Sequence, residues 1–413
     1  MKKILLSAMA VMAFFLISCN DSYELGNSVA VKQENKVSNE YMIKVEDAVA
    51  VASNALDMFN GQAKNSRNAG ASKSVKQVTT YPVLKSRSSD ASLYIVNFEE
   101  GGFAIVPADS RATDVYALSN EGEFNLENEN SAYFMELAEE YLQEEINNPS
   151  LSASVTPVDP ITPPDSDPEL FVIVEYEGKE YYWNTITTQT MPFYLLTTKW
   201  HQRDPYRHFC FTDEGENAVA GCVPIAMAQI MAYHKKPASF NNHYYQWNVL
   251  TQTPTISINS SLKDNVGYLV HDIGTNANVR YGKTSSSTNN LNALGTFRDF
   301  GYSASLENYN VSEITSFLDD SKPIYISGVS YKPDTNNTES VGHAWVIDGY
   351  YVKTTVDEYY DIETLDLVYR NSDNDLYLHC NWGWSYGDCY CLSQIFMVDE
   401  YNFNRDHVLI YAQ

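Results

Sequence analysis

The apolar residues of the chain alternate between helical and strand-like spacing. In the N-terminal part they recur every three or four positions across residues 45–59 and again across residues 134–146, which predicts two amphipathic helices. Between these helices, the apolar runs 93–96 and 103–107 flank two adjacent glycines, a pattern typical of a β-hairpin. The pattern therefore predicts a small α+β domain over residues 40–150.

A proline-rich segment separates this domain from the rest of the chain. Five prolines fall within residues 157–168 among Asp, Ser and Thr, and this composition favours an extended linker that proteases can reach. Residues 170–183 then alternate around a Glu-Gly turn, which predicts a β-hairpin. We therefore place a linker with a hairpin over residues 151–190 and a second domain of mixed structure over residues 191–413.

The most apolar helical stretch of the second domain, Gly221–His234, begins with a cysteine. Proline is tolerated in the first turn of a helix, so Pro224 places Cys222 at or just before the helix N-terminus. The unpaired N–H groups and the macrodipole there favour negative charge, and such a position can lower a thiol pKa of about 8.5 by several units. Cys222 is therefore a candidate nucleophile. The alternative is a structural cysteine in a buried helix.

A nucleophilic cysteine needs a base that later protonates the leaving amine, and imidazole suits both steps. Of the eight histidines, His343 stands at the head of an apolar strand that ends in a turn, although a histidine at a strand edge can also be structural. A third group, which orients the imidazole, is offered by Asn381-Trp382-Gly383-Trp384, since an amide can accept the ring N–H and an indole can cover the ring. The alternative for this segment is a hairpin with two core tryptophans. The order Cys, His, then Asn and Trp is that of papain-like proteases.

Composition removes some classes of function. The formal net charge is -26 and no Lys/Arg cluster interrupts it, which argues against binding of nucleic acid or of anionic membranes through charge. We expect no metal and no organic cofactor. A zinc site is disfavoured because Cys389-x-Cys391 does not have the usual zinc-ligand spacing.

Beyond the N-terminal segment there are five cysteines, so one thiol stays free if the others pair. Those five are Cys210, Cys222, Cys380, Cys389 and Cys391, and Cys380 could pair with either of the last two.

The N-terminus has the pattern of an export signal. Lys2 and Lys3 precede an apolar run that is too short to span a bilayer and that ends at Leu16-Ile17-Ser18-Cys19. The segment resembles a bacterial lipoprotein signal over residues 1–18, which implies cleavage before Cys19 and lipid attachment to its thiol. The alternative is an ordinary secretory peptide with a chance cysteine. The polar residues 19–40 suit a tether. We expect an exported protein of the cell envelope, anchored by lipid at the outer membrane or cell surface and released if it is processed.

Four motifs of the second domain, in this order, resemble the streptopain family of papain-like cysteine proteases. They are Lys199-Trp200-His201-Gln202 with Pro205-Tyr206, Gly221-Cys222-Val223 with Ala226–Met231 and Tyr233-His234, Gly342–Gly349, and Asn381-Trp382-Gly383-Trp384. In the first domain, Leu93–Asn97 and Gly102–Val106 are similar to the streptopain propeptide. The resemblance covers roughly residues 40–150 and 190–413.

This resemblance implies an α+β chain in which a two-subdomain papain-like protease follows a small α+β prodomain. It implies an endopeptidase that is made as a zymogen, is inhibited by its own prodomain, acts on protein or peptide substrates and prefers apolar residues near the cleaved bond. Carried over by position, Cys222 is the nucleophile and His343 its base and acid. Asn381 and Trp382 match the segment that orients the histidine, and the sequence leaves open which of the two makes that contact.

One departure concerns the oxyanion hole. Papain-type enzymes have a glutamine six residues before the cysteine, and here that position is Glu216. An anionic side chain would repel the developing oxyanion, so the donors are expected elsewhere. The backbone N–H of Cys222 is the first choice, and Gln202 or Asn217 are possible side-chain donors.

Two other functions remain open at this stage. One is a Cys/His amidase of the envelope that acts on peptidoglycan. The other is a protein without catalytic activity on the same fold, such as a protease inhibitor or an adhesin. The presence of both Cys222 and His343 argues against the second, because a binding module has no use for the pair.

Overall fold

The computed structural model describes residues 41–62, 73–82, 91–127, 129–147, 155–157, 172–176, 179–330, 341–384, 387–396 and 407–413. The predicted signal peptide with Cys19, the predicted tether and most of the proline-rich linker lie outside these residues.

In the N-terminal part, the described residues form two helices and four short strands. In chain order these are α1 (Val45–Gln62), β1 (Val75–Pro82), β2 (Ala91–Phe98), β3 (Phe103–Pro107), β4 (Ala117–Ser119) and α2 (Glu129–Asn147). The predicted hairpin is confirmed, since β2 and β3 are antiparallel around Gly101 and Gly102. Glycine is needed at 102, where φ is +104° and a Cβ atom would lie 3.0 Å from the Ser119 carbonyl oxygen. The predicted helices are confirmed as well, and α1 buries one face, at Ala48, Ala52, Leu56 and Phe59.

The segment between the two parts forms strands. These are β5 (Val155–Pro157), β6 (Val172–Tyr176) and β7 (Lys179–Gln189). The pairing of β6 with β7 confirms the predicted hairpin. The sequence did not predict that β7 and β5 would join the sheet of the C-terminal part, because such pairings depend on residues far away along the chain.

The C-terminal part holds a buried helix, smaller helices and long antiparallel strands. They are β8 (Phe193–Tyr194), α3 (Cys222–His234), β9 (Ser239–Phe240), β10 (His243–Tyr244), α4 (Trp247–Leu250), α5 (Lys263–Asn276), α6 (Asn290–Asp299), β11 (Ala304–Asn308), α7 (Val311–Asp319), β12 (Ile324–Ser330), β13 (Val341–Asp361), β14 (Leu367–Asn381), β15 (Cys389–Leu392) and β16 (Val408–Ala412). A short 3₁₀ helix, Ser393–Phe396, follows β15.

One sheet connects the N-terminal and C-terminal parts. Its main strand order is β1-β2-β3-β4-β15-β14-β13-β12-β16-β11, and the junction is the antiparallel pair β4–β15, where Leu118 faces Tyr390 and Ala117 faces Cys391. Residues 41–413 accordingly form one compact unit.

Two apolar cores lie against this sheet. One contains the inner faces of α1, α2 and β2–β4 together with residues of β12–β15, and the other contains α3, α5 and α6. Successive residues of β13 contribute to different cores: Trp345 and Ile347 to the first, Ala344 and Val346 to the second. The strand that carries His343 therefore lies between the N-terminal domain and the helix that carries Cys222.

Candidate active site

The turn before α3 places Cys222 as the sequence predicted. The helix begins at Cys222, and Pro224 occupies its first turn. Gly221 has φ of +90°, and a Cβ atom there would lie 3.3 Å from the Ser286 side chain, so the approach to the helix requires glycine. Residues 223–232 are buried, which leaves the N-terminal end of α3 as its functional end.

The Cys222 thiol is partly buried and accepts hydrogen bonds from backbone N–H groups of Ala344 and Val223. Despite these donors, burial raises the pKa of the thiol above its ordinary value. The N–H groups of the helix terminus lower the pKa of the thiol as expected, but the net lowering does not occur in this form of the protein. Desolvation outweighs the N–H groups, and no cation faces the sulfur among the described residues.

The His343 imidazole lies among aromatic rings and is 5% exposed. Its Nε2–H donates to the Trp382 carbonyl oxygen at 3.0 Å, which leaves Nδ1 as the unprotonated ring atom. The rings of Trp345, Trp382 and Trp384 lie 5.9, 6.0 and 5.3 Å from it. Burial without a counter-charge lowers the pKa of His343 to about 4. The imidazole is thus neutral at physiological pH.

A residue of the N-terminal domain covers this histidine. The ring of Tyr133 in α2 lies 6.1 Å from the His343 ring, and its hydroxyl is hydrogen-bonded to His407 Nε2 at 3.1 Å. Gly328, which faces His343 in the β12–β13 pair, leaves room for the hydroxyl, since a Cβ atom there would lie 2.1 Å from it. The imidazole therefore packs with residues of the core shared with the N-terminal domain.

The two principal site residues pack against different cores. Cys222 packs against the core of α3, whereas the ring neighbours of His343 belong to the other core. Within the described part of the chain, no hydrogen bond or ion pair joins the thiol to the imidazole. A neutral thiol and a neutral imidazole with no hydrogen bond between them constitute a latent arrangement.

The Asn381 amide does not orient His343 in this structure. Its Oδ1 accepts from Gln229 Nε2 at 2.8 Å, and its Nδ2 donates to the Thr198 carbonyl oxygen at 2.9 Å. Gln229 Oε1 in turn accepts from the backbone N–H of Trp200 at 3.1 Å. Because these amides are almost fully buried, they are fixed in place and link α3 to the segment that leads to Gln202.

Trp382 is the residue that meets His343, and it does so through its backbone. The carbonyl accepts the ring N–H, and the indole N–H donates to Cys389 Sγ at 3.5 Å. Trp384 stacks on Trp382 with ring centres 5.1 Å apart, so the two indoles cover the imidazole as the sequence led us to expect. The orienting role of a carbonyl has no signature in the sequence.

The candidate oxyanion donors differ in their surroundings. Gln202 is half-buried, and its carbonyl oxygen accepts from the Ala220 N–H at 3.1 Å, which places its backbone beside the approach to Cys222. Asn217 is exposed in a narrow hairpin, opposite Phe211. Glu216 in the same hairpin pairs with Lys283 at 2.5 Å, so its charge is compensated at the surface. The anticipated repulsion from Glu216 therefore has no basis in this arrangement.

Sequence reasoning missed a second buried histidine. His379 Nδ1–H donates to Asp348 Oδ1 at 2.6 Å, and the ring stacks on Tyr194 at 4.6 Å. This carboxylate raises the pKa of His379 although burial opposes the shift. An available signal was Asp348 itself, a charged residue at the end of the apolar run Ala344–Ile347.

A cavity of about 410 Å³ adjoins His379 at the junction of the two domains. Phe59 and Glu121 line it from the N-terminal domain, and Lys199 and Asp388 line it from the C-terminal domain. Lys199 pairs with Glu121, and Ser119 Oγ donates to the Asp388 carbonyl oxygen at 2.9 Å. Burial raises the pKa of the Asp388 carboxyl to about 6. The N-terminal domain is therefore attached by polar contacts as well as by strand pairing.

The described residues contain neither a metal site nor a helix that could span a membrane. No group of three or more His, Cys, Asp or Glu side chains there could hold a metal ion. None of the helices in these ranges is long and apolar enough to cross a membrane.

Comparison with known proteins identifies both parts of the chain. Residues 200–389 match the Peptidase C10 family, and residues 35–146 match the Spi protease inhibitor family. Streptopain of Streptococcus pyogenes serotype M28 (strain MGAS6180) is 26% identical over 332 residues, which cover 72% of each chain. The thiol protease/hemagglutinin PrtT of Porphyromonas gingivalis is 22% identical over 348 residues, which cover 73% of this chain and 34% of that protein.

A solved fragment of Prevotella intermedia prointerpain A has the same fold. It aligns with a TM-score of 0.52 and 17% sequence identity, covering 81% of this chain and 98% of the fragment. This likeness confirms the α+β fold class that the sequence predicted. By these matches, residues 200–389 form a domain of the peptidase C10 family, to which the streptopain-type cysteine peptidases belong, and residues 35–146 form a preceding domain of the Spi protease inhibitor family.

Proposed function

We propose that this cysteine peptidase zymogen is an exported endopeptidase in which Cys222 is the nucleophile and His343 the general base and acid. The observation that carries the proposal is the position of the thiol. Cys222 opens the buried helix α3, and its sulfur accepts the N–H of Ala344, the residue that follows His343. The thiol and the imidazole are therefore carried by adjacent elements, the N-terminal end of α3 and the first residues of β13.

The latent arrangement supports inhibition by the N-terminal domain. Tyr133 packs on the His343 ring, and the β4–β15 pair and the Lys199–Glu121 ion pair attach the domain beside it. Release of the domain removes Tyr133 and admits water. Because solvation stabilises the charged forms, it favours proton transfer from the thiol to the imidazole.

The residues of the site then suit acyl transfer. The Cys222 thiolate attacks the peptide carbonyl, while the Trp382 carbonyl keeps Nε2–H in place and His343 carries the transferred proton on Nδ1. The backbone N–H of Cys222 and the side chain of Gln202 are the proposed oxyanion donors; Asn217 is less suited because it is exposed. His343 protonates the leaving amine, and water then hydrolyses the thioester.

The test is a comparison of Cys222→Ala with Cys210→Ala. Cys210 is also a free cysteine, and it is buried outside the proposed machinery. We expect Cys222→Ala to abolish casein hydrolysis and any self-cleavage between the domains, and Cys210→Ala to keep both. Retained activity in Cys222→Ala would overturn the assignment, and intact folding of that variant is checked by circular dichroism.

We further propose that the protein is anchored to the cell envelope through a lipid on Cys19. The support is the sequence alone, in which a basic start and an apolar run lead to Leu16-Ile17-Ser18-Cys19. Cells expressing the wild-type chain should incorporate a labelled fatty acid into the protein and retain it in the membrane fraction. Cys19→Ala should lose the label, and incorporation in that variant would contradict the proposal.

A further inference from the structure

Three buried cysteines lie together beside the segment that holds His343. Cys389 and Cys391 belong to β15, and Cys380 belongs to β14, directly opposite Cys389. Side chains alternate along a strand, so all three point to one face of this strand pair. Each is at most 1% exposed, and none forms a disulfide in the structure.

Cys391 is the central thiol of the three. Its sulfur lies 3.3 Å from the sulfur of Cys389, and it is also hydrogen-bonded to the sulfur of Cys380. The two sulfurs are close enough for a side-chain rotation to bring them to the length of a disulfide bond, about 2.05 Å. Cys391 therefore has two possible partners within reach.

The cluster is connected to the active site through one residue. The indole N–H of Trp382 donates to Cys389 Sγ, and the carbonyl of the same residue accepts from His343 Nε2. Cys380 and Cys389 also flank the ends of the segment 381–388, which contains Trp382 and Trp384. A covalent change at these sulfurs therefore acts on the residues that hold the imidazole.

We propose that these cysteines form an oxidisable site in which Cys391 makes a disulfide with one of its two neighbours while the third thiol stays reduced. The oxidant is a low-molecular-weight disulfide. The thiolate of one cysteine attacks it to give a mixed disulfide and releases one small thiol. The second cysteine then displaces the other, so that two protons and two electrons pass from the cysteines to the oxidant.

The structure also fixes when this reaction takes place. In the folded chain the oxidant cannot reach sulfurs that are buried, and burial raises the pKa of Cys380 and Cys391, which keeps them as unreactive thiols. The strand β15 is enclosed between β14 and β4 of the N-terminal domain. Oxidation therefore takes place while the chain folds, before β4 covers β15.

The experiment uses the full chain with Cys222→Ala, so that its outcome does not depend on the proposed catalytic role. The reduced protein is refolded in a mixture of oxidised and reduced glutathione, quenched with acid, alkylated under denaturing conditions and mapped by mass spectrometry. We expect the loss of two hydrogen atoms in most molecules and a peptide map in which Cys391 and one of its two neighbours escape alkylation, as a bond within one peptide for Cys389 or as two linked peptides for Cys380. If Cys389 is the bonded partner, tryptophan emission should also differ between the oxidised and reduced forms, because the Cys389 sulfur then leaves the Trp382 indole.

The matched controls are Cys391→Ser and Cys210→Ser in the same background. The first should abolish the disulfide within the cluster, and the second should leave it unchanged. If Cys391→Ser does not fold, the peptide map of the parent protein decides the matter. A map with all three cysteines alkylated, or with a bond between Cys380 and Cys389, would overturn the proposal.

Discussion

Two buried histidines on neighbouring strands of the sheet have opposite electrostatic surroundings. His343 on β13 and His379 on β14 are 5% and 8% exposed. His343 donates to a backbone carbonyl, and burial lowers its pKa to about 4. His379 donates to the Asp348 carboxylate, and its pKa is raised.

The comparison shows that the partner, and not the degree of burial, decides the direction in which the pKa of a buried imidazole shifts. Desolvation disfavours the charged ring in both places, and a carboxylate 2.6 Å away is enough to reverse its effect. A ring kept neutral retains a lone pair that can take a proton, as a general base requires. A ring whose pKa is raised by a fixed carboxylate is suited to holding two strands together.

The largest expected effect is the loss of peptidase activity when His343 is removed. His343→Ala should reduce peptidase activity of the processed enzyme by about 10²–10⁴-fold, because the proposed general base for the thiol is lost. The matched control is His208→Ala, which removes a more exposed histidine paired with Asp264. Activity is measured as kcat/KM on a fluorogenic peptide. A loss within threefold of the control would refute the role of His343.

The next effect concerns the ion pair of His379. Asp348→Asn removes the carboxylate but keeps an oxygen that can accept from the Leu196 N–H. Breaking a buried pair in this way should cost about 3–5 kcal/mol of unfolding free energy. Its exposed counterpart is Asp264→Asn beside His208, which should cost at most about 1 kcal/mol. Urea unfolding of both variants at pH 6 tests the contrast, and equal losses would show that burial does not strengthen the pair.

Local features of the site could be read from the sequence. The start of α3 is specified by residues that are neighbours in the sequence, namely Gly221, Cys222 and Pro224. The strand of His343 is likewise specified by the apolar residues around it. The pKa of Cys222 could not be predicted, because the burial that raises it comes from packing between residues distant along the chain. The partner of His343 was also inaccessible, since any residue has a carbonyl and only the turn after β14 aims that of Trp382 at the ring.

The pairing of the two domains was beyond reach for a similar reason. The sequence has a proline-rich boundary between them, yet β4 extends the sheet at β15 and the two domains share one core. Three residues on a strand edge carry no sequence signal for a partner about 270 residues away. The inhibited state of the site follows from that long-range contact and not from the motifs.

The third prediction uses the opposite signs of the two pKa shifts. The native pKa of His343 is about 4, below the ordinary value of 6.5, so protonation favours the unfolded chain. Its neutral ring therefore supports stability above pH 6.5, and up to about 3 kcal/mol is lost as pH falls from 6.5 to 4. For His379 the native pKa is raised, so its contribution is full below pH 6.5 and is lost as pH rises through the native pKa.

The measurement is the unfolding free energy of wild type and His343→Ala across pH 4–7. The difference between the two should change by about 3 kcal/mol over this range and should level off above pH 6.5. Asp348→Asn, measured in the same way, should lack the contribution that His379 makes to stability at low pH. Its unfolding free energy should still fall with pH because of His343. A pH-independent difference for His343→Ala would contradict the lowered pKa.

The smallest effect is expected at Lys199, which lies near His379 and pairs with Glu121 of the N-terminal domain. Both side chains of the pair are more than a third exposed, so Lys199→Ala should cost at most about 1 kcal/mol of unfolding free energy. The Lys199 charge also lowers the pKa of His379, so the variant should raise that pKa further, as a histidine NMR titration would show. Glu121→Gln removes the same ion pair but keeps the Lys199 charge, so it should match the stability loss without the rise in pKa. If both variants raised the pKa of His379 equally, the intact ion pair and not the charge of Lys199 would be what lowers that pKa.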